Sequence, residues 1–244
     1  MQDKIKVFKV ETFGAVDGPG VRLVIFVQGC TFRCKYCHNP ESWNFDNQQV
    51  KEMSVSDILD LYERNKPFYE KGGITISGGE PMLSADFIKL LGESCKAKNI
   101  HLAIDTSACN FIENKQVYEQ VLDLVNLWIV DIKSLNPQEH KFITGFEQLT
   151  GAEFVKFLEQ KNKQYWIRQV IVKTINDDNK HLEQLANFVR PLKNCLRAEL
   201  LSYHNLAEDK YKKLGINYPF KDIVMLTTPE FEQKKLYLKN LISK

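Results

Sequence analysis

Long apolar runs, an excess of one charge and low-complexity segments are all missing from this chain. No hydrophobic stretch approaches the roughly 20 residues that a membrane-spanning helix needs. The 33 basic residues nearly balance the 31 acidic ones, giving a formal net charge of +2, which argues against nucleic acid or an anionic membrane as the main partner. The first nine residues alternate in charge and hold no apolar core of a signal peptide. We therefore expect a cytoplasmic protein.

The chain also lacks a recognisable linker and any short repeat. Its 244 residues are 43% hydrophobic and 26% charged, a composition typical of globular proteins. That length suits one large α/β domain or two small ones. We expect a single domain over residues 1–244.

The chain has six cysteines, and three of them stand close together. Cys30, Cys34 and Cys37 follow the spacing C-x3-C-x2-C, and the aromatic Tyr36 precedes the last of them. Three thiolates can hold three corners of a cubane iron–sulfur cluster, whose usual all-protein ligation takes four. A missing fourth ligand leaves one iron open. A catalyst needs such an open position, whereas an electron carrier seldom has one.

Two alternatives stay open for these cysteines. A structural zinc site takes four Cys or His ligands, typically as two separated pairs, and His38 as the fourth ligand would directly follow Cys37. An even number of cysteines also allows disulfides, although a chain of this length does not need them. Cys95 falls on the apolar face of a predicted helix, where a free thiol acts as a small hydrophobe. Cys109 and Cys195 suggest no function.

Segments with strand-like and helix-like patterns alternate along the chain. Six strands are predicted, over residues 21–27, 73–77, 100–104, 127–132, 165–172 and 198–201. Helices are predicted over residues 53–65, 85–98, 115–125, 151–161, 179–193 and 229–242, with a short one starting at Asn136-Pro137. Six strands separated by helices predict an α/β fold with a parallel sheet. Periodicity alone does not distinguish a doubly wound sheet from a barrel.

Polar or glycine-rich residues follow nearly every predicted strand. The groups are the cysteine loop, Ser77-Gly78-Gly79-Glu80-Pro81, Asp105-Thr106, Asp131-Ile132-Lys133 and Ser202-Tyr203-His204. In (β/α) barrels the carboxyl ends of the strands form the active face. This placement therefore favours a catalytic site at that end of the sheet.

The cysteine motif resembles that of the radical S-adenosylmethionine (SAM) superfamily, and Ser77-Gly78-Gly79-Glu80-Pro81 resembles its GGE motif. The resemblance implies the radical SAM fold, a partial (β/α)6 TIM-like barrel, with the cluster loop at residues 28–40 after the first predicted strand. It implies two cofactors, a [4Fe-4S] cluster and SAM. A monovalent cation, Na⁺ or K⁺, is a third.

The segment Asp17-Gly18-Pro19-Gly20-Val21-Arg22 resembles a loop of the glycyl-radical enzyme activases. Pro-Gly also favours a type II turn with the glycine at positive φ. Most of these activases carry further clusters in an insertion, yet no cysteine lies between Cys37 and Cys95, as in their compact branch. The resemblance implies pyruvate formate-lyase as the substrate protein, with flavodoxin or ferredoxin as the electron donor.

The resemblance also assigns roles to single residues. The cluster would be held by Cys30, Cys34 and Cys37. SAM would be bound by Tyr36, Cys37, His38, Gly78, Gly79, Glu80, Asp131, Ile132, Lys133 and His204. The cation would lie at Asp105, Thr106 and Asp131, and the substrate peptide at Asp17 and Arg168.

Simpler interpretations exist for four of these residues. His204 could be a surface histidine of a loop. Arg168 could be one partner of a structural ion pair. Asp131 and Lys133, two apart on a strand, face the same side and could pair with each other.

Two other kinds of function stay open. One is a different radical SAM enzyme, acting on a small molecule or activating anaerobic ribonucleotide reductase. The other is a non-enzymatic electron-transfer or metal-binding module. Formation of 5′-deoxyadenosine from SAM distinguishes an enzyme from such a module.

Overall fold

A computed structural model describes residues 3–47 and 50–243. The strands are Lys4–Gly14 (β1), Arg22–Val27 (β2), Lys51–Ser54 (β3), Gly73–Gly78 (β4), Leu102–Thr106 (β5), Leu127–Asp131 (β6), Tyr165–Ile171 (β7) and Cys195–Ser202 (β8). The helices are Val55–Asn65 (α1), Ala85–Ala97 (α2), Lys115–Val121 (α3), Pro137–Thr144 (α4), Thr150–Gln160 (α5), Asn179–Val189 (α6), Glu208–Lys213 (α7) and Thr228–Ile242 (α8).

The sheet has the strand order β3-β1-β2-β4-β5-β6-β7-β8. β1 pairs antiparallel with β2 and β3, whereas β2, β4, β5 and β6 run parallel in succession, as do β7 and β8. An open, mostly parallel sheet with intervening helices confirms the predicted α/β class and its partial-barrel form.

The parallel strands end in register, which brings their following loops side by side. Val27, the last residue of β2, lies opposite Gly78, the last residue of β4. Thr106 at the end of β5 lies opposite Val130 near the end of β6. The cysteine loop and the Gly-Gly turn therefore start from neighbouring points of the sheet.

Contacts group the chain into two compact units, residues 1–31 with 41–130 and residues 32–40 with 131–244. The first unit has its core between sheet and helices, where these side chains are fully buried: Leu23, Ile25, Ile76, Phe87 and Ile104. The second unit has its own core around Tyr165, Phe154, Leu158, Ile171 and Leu182. The expectation of a single domain over residues 1–244 stays a prediction.

Capping residues define where several helices begin. Ser54 and Asp57 form a capping box at α1, and the Asn136 side chain accepts from the Glu139 amide at α4, with Pro137 in the first turn. The start of α4 at Asn136-Pro137 is as predicted from the sequence, and the Ser54–Asp57 pair follows the capping-box pattern. The predicted start of α1 at Met53 is wrong, because Met53 and Ser54 pair with β1 as part of β3.

Three elements were not predicted from the sequence: β1, β3 and α7. β1 is an eleven-residue strand near the N-terminus, in a segment that begins with alternating charges. α7 lies within the polar loop expected after residue 201. Within residues 3–47 and 50–243, no helix is long and apolar enough to cross a membrane.

Candidate functional site

The cysteine loop leaves β2 through Gly29, whose φ of +101° is favourable for glycine. Cys30 belongs to the first unit, whereas Cys34 and Cys37 belong to the second. The structure describes all six cysteines and none of them forms a disulfide, so the disulfide alternative is wrong. Cys34 is buried, and Cys30 and Cys37 are half-buried.

Helix α4 anchors the loop part that carries Cys34. The backbone amides on either side of this cysteine, Arg33 N–H and Lys35 N–H, donate to the carbonyls of Thr144 and Ile143 at 3.1 and 2.9 Å. The last carbonyls of a helix have no partner inside the helix, so these two bonds also complete the end of α4. The Cys34 backbone is therefore fixed on both sides.

Free thiols fit an iron–sulfur cluster, since thiolate is the usual protein ligand of iron in such clusters. Each iron of a cubane takes its own ligand, so three cysteines would serve three irons. Among the residues that the structure describes, no three Cys, His, Asp or Glu side chains are grouped around a point that could hold a single metal ion.

The Gly78-Gly79-Glu80 turn lies against the start of the cysteine loop within the first unit. Gly79 N–H donates to the Val27 carbonyl and Glu80 N–H to the Gly29 carbonyl, both at 2.8 Å. A Cβ on Gly79 would come within 2.1 Å of the Gly29 oxygen. Gly78 also has a φ of +110°. Only glycine therefore fits this approach of one backbone to another.

The Glu80 carboxylate is 1% exposed and accepts four hydrogen bonds. One oxygen accepts from Thr106 Oγ1 at 2.5 Å and from the Met82 amide at 3.2 Å. The other accepts from the amide and the hydroxyl of Ser107 at 3.0 and 2.7 Å. Burial raises the pKa of Glu80, although these donors oppose the shift. Binding an amino group through this carboxylate requires the exchange of one of its present donors.

The end of β5 carries two of the three residues predicted to bind a cation, Asp105 and Thr106. Asp105 accepts from Ser77 Oγ at 2.8 Å. Thr106 Oγ1 donates to Glu80 and accepts from the Ala108 amide at 2.8 Å. The third residue of the predicted cation site, Asp131, belongs to the second unit.

Asp131 and Lys133 form an ion pair in the second unit, with Nζ and Oδ2 2.7 Å apart. The simpler interpretation of these two residues is thus confirmed. Burial opposes the charge of Lys133, but Asp131, with Tyr36 and Cys34, raises the lysine pKa well above its ordinary value. Lys133 Nζ also lies 5.7 Å from the centre of the Tyr36 ring. A fixed ammonium therefore sits beside the aromatic residue of the cysteine motif.

Two predicted histidines stack on each other. The ring centres of His38 and His204 are 3.8 Å apart, and His38 Nε2 donates to the His204 carbonyl at 3.1 Å. Burial is the main reason why the pKa of each ring lies below its ordinary value. Both shifts favour the neutral form of the ring. His204 is not an exposed surface residue.

Two buried polar atoms of this region fit a missing ligand. Among the described residues, none hydrogen-bonds to Tyr36 Oη or His204 Nδ1. Buried polar atoms nearly always have a partner in native proteins. Since both belong to residues that the sequence assigned to SAM, a polar ligand such as SAM suits the site.

Arg168 is bound by a carboxylate of the neighbouring strand. Its Nε donates to Glu199 Oε1 at 2.7 Å, and Glu199 also pairs with Arg197, whose guanidinium lies 4.9 Å from the Trp166 ring centre. The ion-pair interpretation of Arg168 is confirmed. This pairing does not exclude a peptide contact, because the three charged groups together carry a net positive charge.

Arg22, a fully buried residue, holds the turn before β2 in place. Its guanidinium donates to the Pro19 carbonyl at 3.0 Å and to Thr75 Oγ1 at 2.6 Å. Thr75 in turn donates to the Asp17 carbonyl at 2.7 Å. Gly20 has the positive φ, +69°, that the Pro-Gly sequence predicted. The position of Asp17 therefore depends on Arg22 and Thr75.

Some residues of the site were missed by the sequence reasoning: Ser107, Glu199 and Lys210. Lys210 Nζ donates to the His38 carbonyl at 2.8 Å and to Asn39 Oδ1 at 3.0 Å. A lysine in a charged segment gives no signal of such a contact. Cys109, without a predicted role, accepts from Thr31 Oγ1 at 3.0 Å.

Known proteins resemble this chain at the levels of sequence and fold. Residues 16–144, more than half of the chain, match the family described as a 4Fe-4S single cluster domain. A pyruvate formate-lyase-activating enzyme of Streptococcus mutans is 40% identical over 217 residues, 87% of this chain and 82% of that protein. One from Clostridium pasteurianum is 37% identical over 239 residues, 97% of this chain and 98% of that protein.

A solved structure shares the fold. Streptococcus suis SuiB, determined with bound S-adenosylmethionine, superposes with a TM-score of 0.69 at 18% identity, over 91% of this chain and 47% of SuiB. The likeness confirms the predicted radical SAM fold.

Proposed function

Since the chain belongs to the family of pyruvate formate-lyase-activating enzymes, we propose that it places a glycyl radical on pyruvate formate-lyase under anaerobic conditions. The observation that carries this proposal is the C-x3-C-x2-C motif of Cys30, Cys34 and Cys37, with no disulfide among them, in a chain of this family. The enzyme is an oxidoreductase that uses a [4Fe-4S] cluster and SAM.

Cluster and SAM together supply the chemistry: one electron cleaves SAM to methionine and a 5′-deoxyadenosyl radical, which removes a hydrogen atom from a glycine. The work of the protein is to hold both groups and to exclude water. A primary alkyl radical attacks almost any C–H bond nearby, so the reacting groups have to be positioned tightly.

Three cysteines would hold the cluster, leaving the fourth iron for SAM. Cys34 would be the most rigid ligand, because its backbone is anchored to α4 on both sides. Gly78, Gly79 and Glu80 would bind the SAM amino group, and the neighbouring Gly29 backbone keeps this turn in place.

The second unit would bind the rest of SAM. Lys133 offers a buried ammonium for the carboxylate, with Asp131 and the Ile132 backbone beside it. Tyr36 and His38 would line the SAM pocket beside the cluster, and His204 would face the adenosine. Tyr36 Oη and His204 Nδ1 support this assignment, because they have no hydrogen-bond partner among the described residues. Asp105, Thr106 and Asp131 would hold a monovalent cation.

The substrate glycine would enter beside Asp17, with Arg168 as a second contact for the peptide. Arg22 keeps the Asp17 turn in one conformation, so the turn can bind the peptide without first becoming ordered. We further propose flavodoxin or ferredoxin as the electron donor and the cytoplasm as the location.

Reconstitution and electron paramagnetic resonance (EPR) test the function. The reconstituted chain should bind about four iron and four sulfide, as one cubane requires. With reductant, SAM and pyruvate formate-lyase, it should give the EPR doublet of a glycyl radical. Zinc without iron would contradict the proposal. A radical that forms on anaerobic ribonucleotide reductase, but not on pyruvate formate-lyase, would reassign the substrate.

Cys34→Ala tests the cysteine assignment. The variant should neither assemble the full cluster nor cleave SAM, and Cys95→Ala, in the core of the first unit, serves as the control. Cleavage of SAM by Cys34→Ala at the parent rate would exclude this cysteine as a ligand.

A further inference from the structure

The outer surface beside the cysteine loop exposes two phenylalanines. Phe142 in α4 is 49% exposed and Phe146 just after it is 41% exposed. In the described part of the second unit, the other large exposed apolar side chains are aliphatic. Aromatic residues are enriched in protein interfaces, so an exposed pair of them indicates a contact surface.

One cation lies against this aromatic pair, and a second is close to it in the sequence. Lys35 Nζ lies 3.4 Å from the centre of the Phe142 ring, and Arg33 is exposed two residues earlier. Residues 32–40 contain these two cations and no acidic residue. The acidic residues of the adjoining segment are engaged: Glu147 by Lys141 at 2.8 Å and Glu139 near His181 at 3.4 Å. The surface is therefore aromatic and positively charged.

The same surface lies next to a proposed cluster ligand. Cys34 stands between Arg33 and Lys35, whose amides bind the last carbonyls of α4. Three aromatic rings connect this surface with the cysteine motif. The ring centres of Phe142 and Phe220 are 6.2 Å apart, and those of Phe220 and Tyr36, the residue before Cys37, are 6.3 Å apart. A protein bound to Phe142 would be separated from the ligand loop by a single layer of side chains.

We propose that the surface formed by Arg33, Lys35, Phe142 and Phe146 is where an acidic one-electron carrier protein docks to reduce the cluster. This inference rests on the proposed function, because that reaction consumes one electron that the chain cannot supply. The carrier is oxidised by one electron and the cluster is reduced by one. Opposite charges steer such encounters and set their salt dependence.

Binding is the first test and needs no turnover. Reduced and oxidised flavodoxin and ferredoxin are titrated into the 244-residue chain, with and without cluster, by isothermal calorimetry. Phe142→Glu should weaken the binding of the carrier at least tenfold, and added salt should weaken binding to the parent chain. The matched control is Leu236→Glu on α8, which changes a 60% exposed leucine and should bind the carrier normally.

Lys35→Gln provides a second variant if Phe142→Glu lowers the yield of folded protein. It removes one cation from the surface without adding a charge to the apolar part, so carrier affinity should fall severalfold. The inference is overturned if both variants bind the carriers like the parent chain. It is also overturned if neither carrier binds the parent chain at low salt, or if Phe142→Glu weakens binding of pyruvate formate-lyase instead.

Reduction kinetics separate this inference from the proposed function. Stopped-flow absorbance of the cluster should show slower reduction of Phe142→Glu by reduced flavodoxin or ferredoxin, but unchanged reduction by dithionite. SAM cleavage driven by dithionite should also be unchanged. If dithionite drives no SAM cleavage in the parent chain, the proposed function fails. If dithionite does drive SAM cleavage, but the carriers reduce Phe142→Glu as fast as the parent chain, the docking surface is contradicted and the proposed function is not.

Discussion

The buried Arg22 contacts both the ring and the carbonyl of His101. Arg22 Nη2 donates to His101 Nδ1 at 3.1 Å and to its carbonyl at 3.2 Å. A guanidinium only donates, so Nδ1 has to carry a lone pair and the ring has to be neutral. Burial and the Arg22 charge lower the pKa of His101 to about 4.

A pH-dependent stability follows from this pKa. Unfolded histidine titrates near 6.5, so between about pH 6.5 and 4 the unfolded chain binds a proton that the folded chain excludes. The stability that neutral His101 contributes is complete above pH 6.5 and is lost as the pH falls toward 4. His101→Gln keeps an acceptor for Arg22 but cannot titrate, so this loss should disappear.

Urea unfolding of the cluster-free chain at pH 7.5 and 5 measures the effect. The parent chain should lose about 1 kcal/mol more than His101→Gln over this range, after allowance for the partial exposure of the ring. The other histidines titrate equally in both proteins and cancel in the difference. Equal losses in the two proteins would show that His101 does not control the stability.

The Glu80 site shows which part of a motif the sequence reveals. Gly78-Gly79-Glu80 could be recognised, because glycines after a strand indicate a tight turn. Ser107 could not, since it reaches Glu80 only through a turn in which Ala108 has a φ of +52°, a value uncommon for alanine. The Asp131–Lys133 pair could be expected from the spacing of the two residues, whereas Glu199 could be named as the partner of Arg168 only after β7 and β8 had been paired.

At the scale of elements, the segments that were missed are those with weak local signals. β1 alternates charged and apolar residues, and only the antiparallel pairing with β2 and β3 determines its length. α7 has six residues, too few to be stable alone. The buried Tyr211 and the contacts of Lys210 hold it in place. Long buried strands and capped helices, by contrast, were predicted closely.

Helix α7 should matter for SAM binding through Lys210. This ammonium fixes the His38 carbonyl and the Asn39 side chain, and a hydrogen bond to a charged group contributes about 1.5–3 kcal/mol. In Lys210→Met part of that energy should appear as weaker SAM binding, about tenfold or 1.4 kcal/mol. Cluster content should not change.

Equilibrium dialysis of labelled SAM with reconstituted protein checks this prediction. Lys212→Met, an exposed lysine of the same helix, is the matched control and should bind SAM like the parent chain. If Lys210→Met binds SAM with unchanged affinity, α7 does not position His38.

The contact between the Gly-Gly turn and the cysteine loop predicts that Gly79→Ala lowers both stability and SAM binding. In Gly79→Ala the new methyl group would meet the Gly29 carbonyl oxygen at 2.1 Å, so one of the two loops has to move. We expect a stability loss of about 2–3 kcal/mol, as is common for overpacking, and loss of measurable SAM binding.

Gly215→Ala is the control for this change. Gly215 has a positive φ of +67° but no atom within 4 Å of an added Cβ, so alanine there costs only the backbone strain, about 1–2 kcal/mol. Urea unfolding and SAM dialysis should separate the two variants. Normal SAM binding by Gly79→Ala would show that the turn can move without affecting the site.

At the scale of the whole molecule, fold and cofactor chemistry follow from the sequence more securely than the substrate does. The cysteine spacing and the Gly-Gly turn are the features that predict an open iron and SAM as its ligand. The substrate depends on the Asp17 turn, which Arg22 and Thr75 hold in place. Such a turn could bind a peptide of any glycyl-radical enzyme. The identity of the substrate protein therefore has to be tested by following the hydrogen atom that is removed from its glycine.

Deuterium transfer provides that test. Pyruvate formate-lyase is prepared with α-deuterated glycine and incubated with the reduced, reconstituted chain and SAM. The 5′-deoxyadenosine recovered should carry one deuterium by mass spectrometry, because the hydrogen removed from glycine ends on that product. Asp17→Ala should still cleave SAM but give less labelled product, since the peptide is held less well. Unlabelled 5′-deoxyadenosine from the parent chain would mean that the hydrogen comes from elsewhere, and labelling only by deuterated anaerobic ribonucleotide reductase would identify that protein as the substrate.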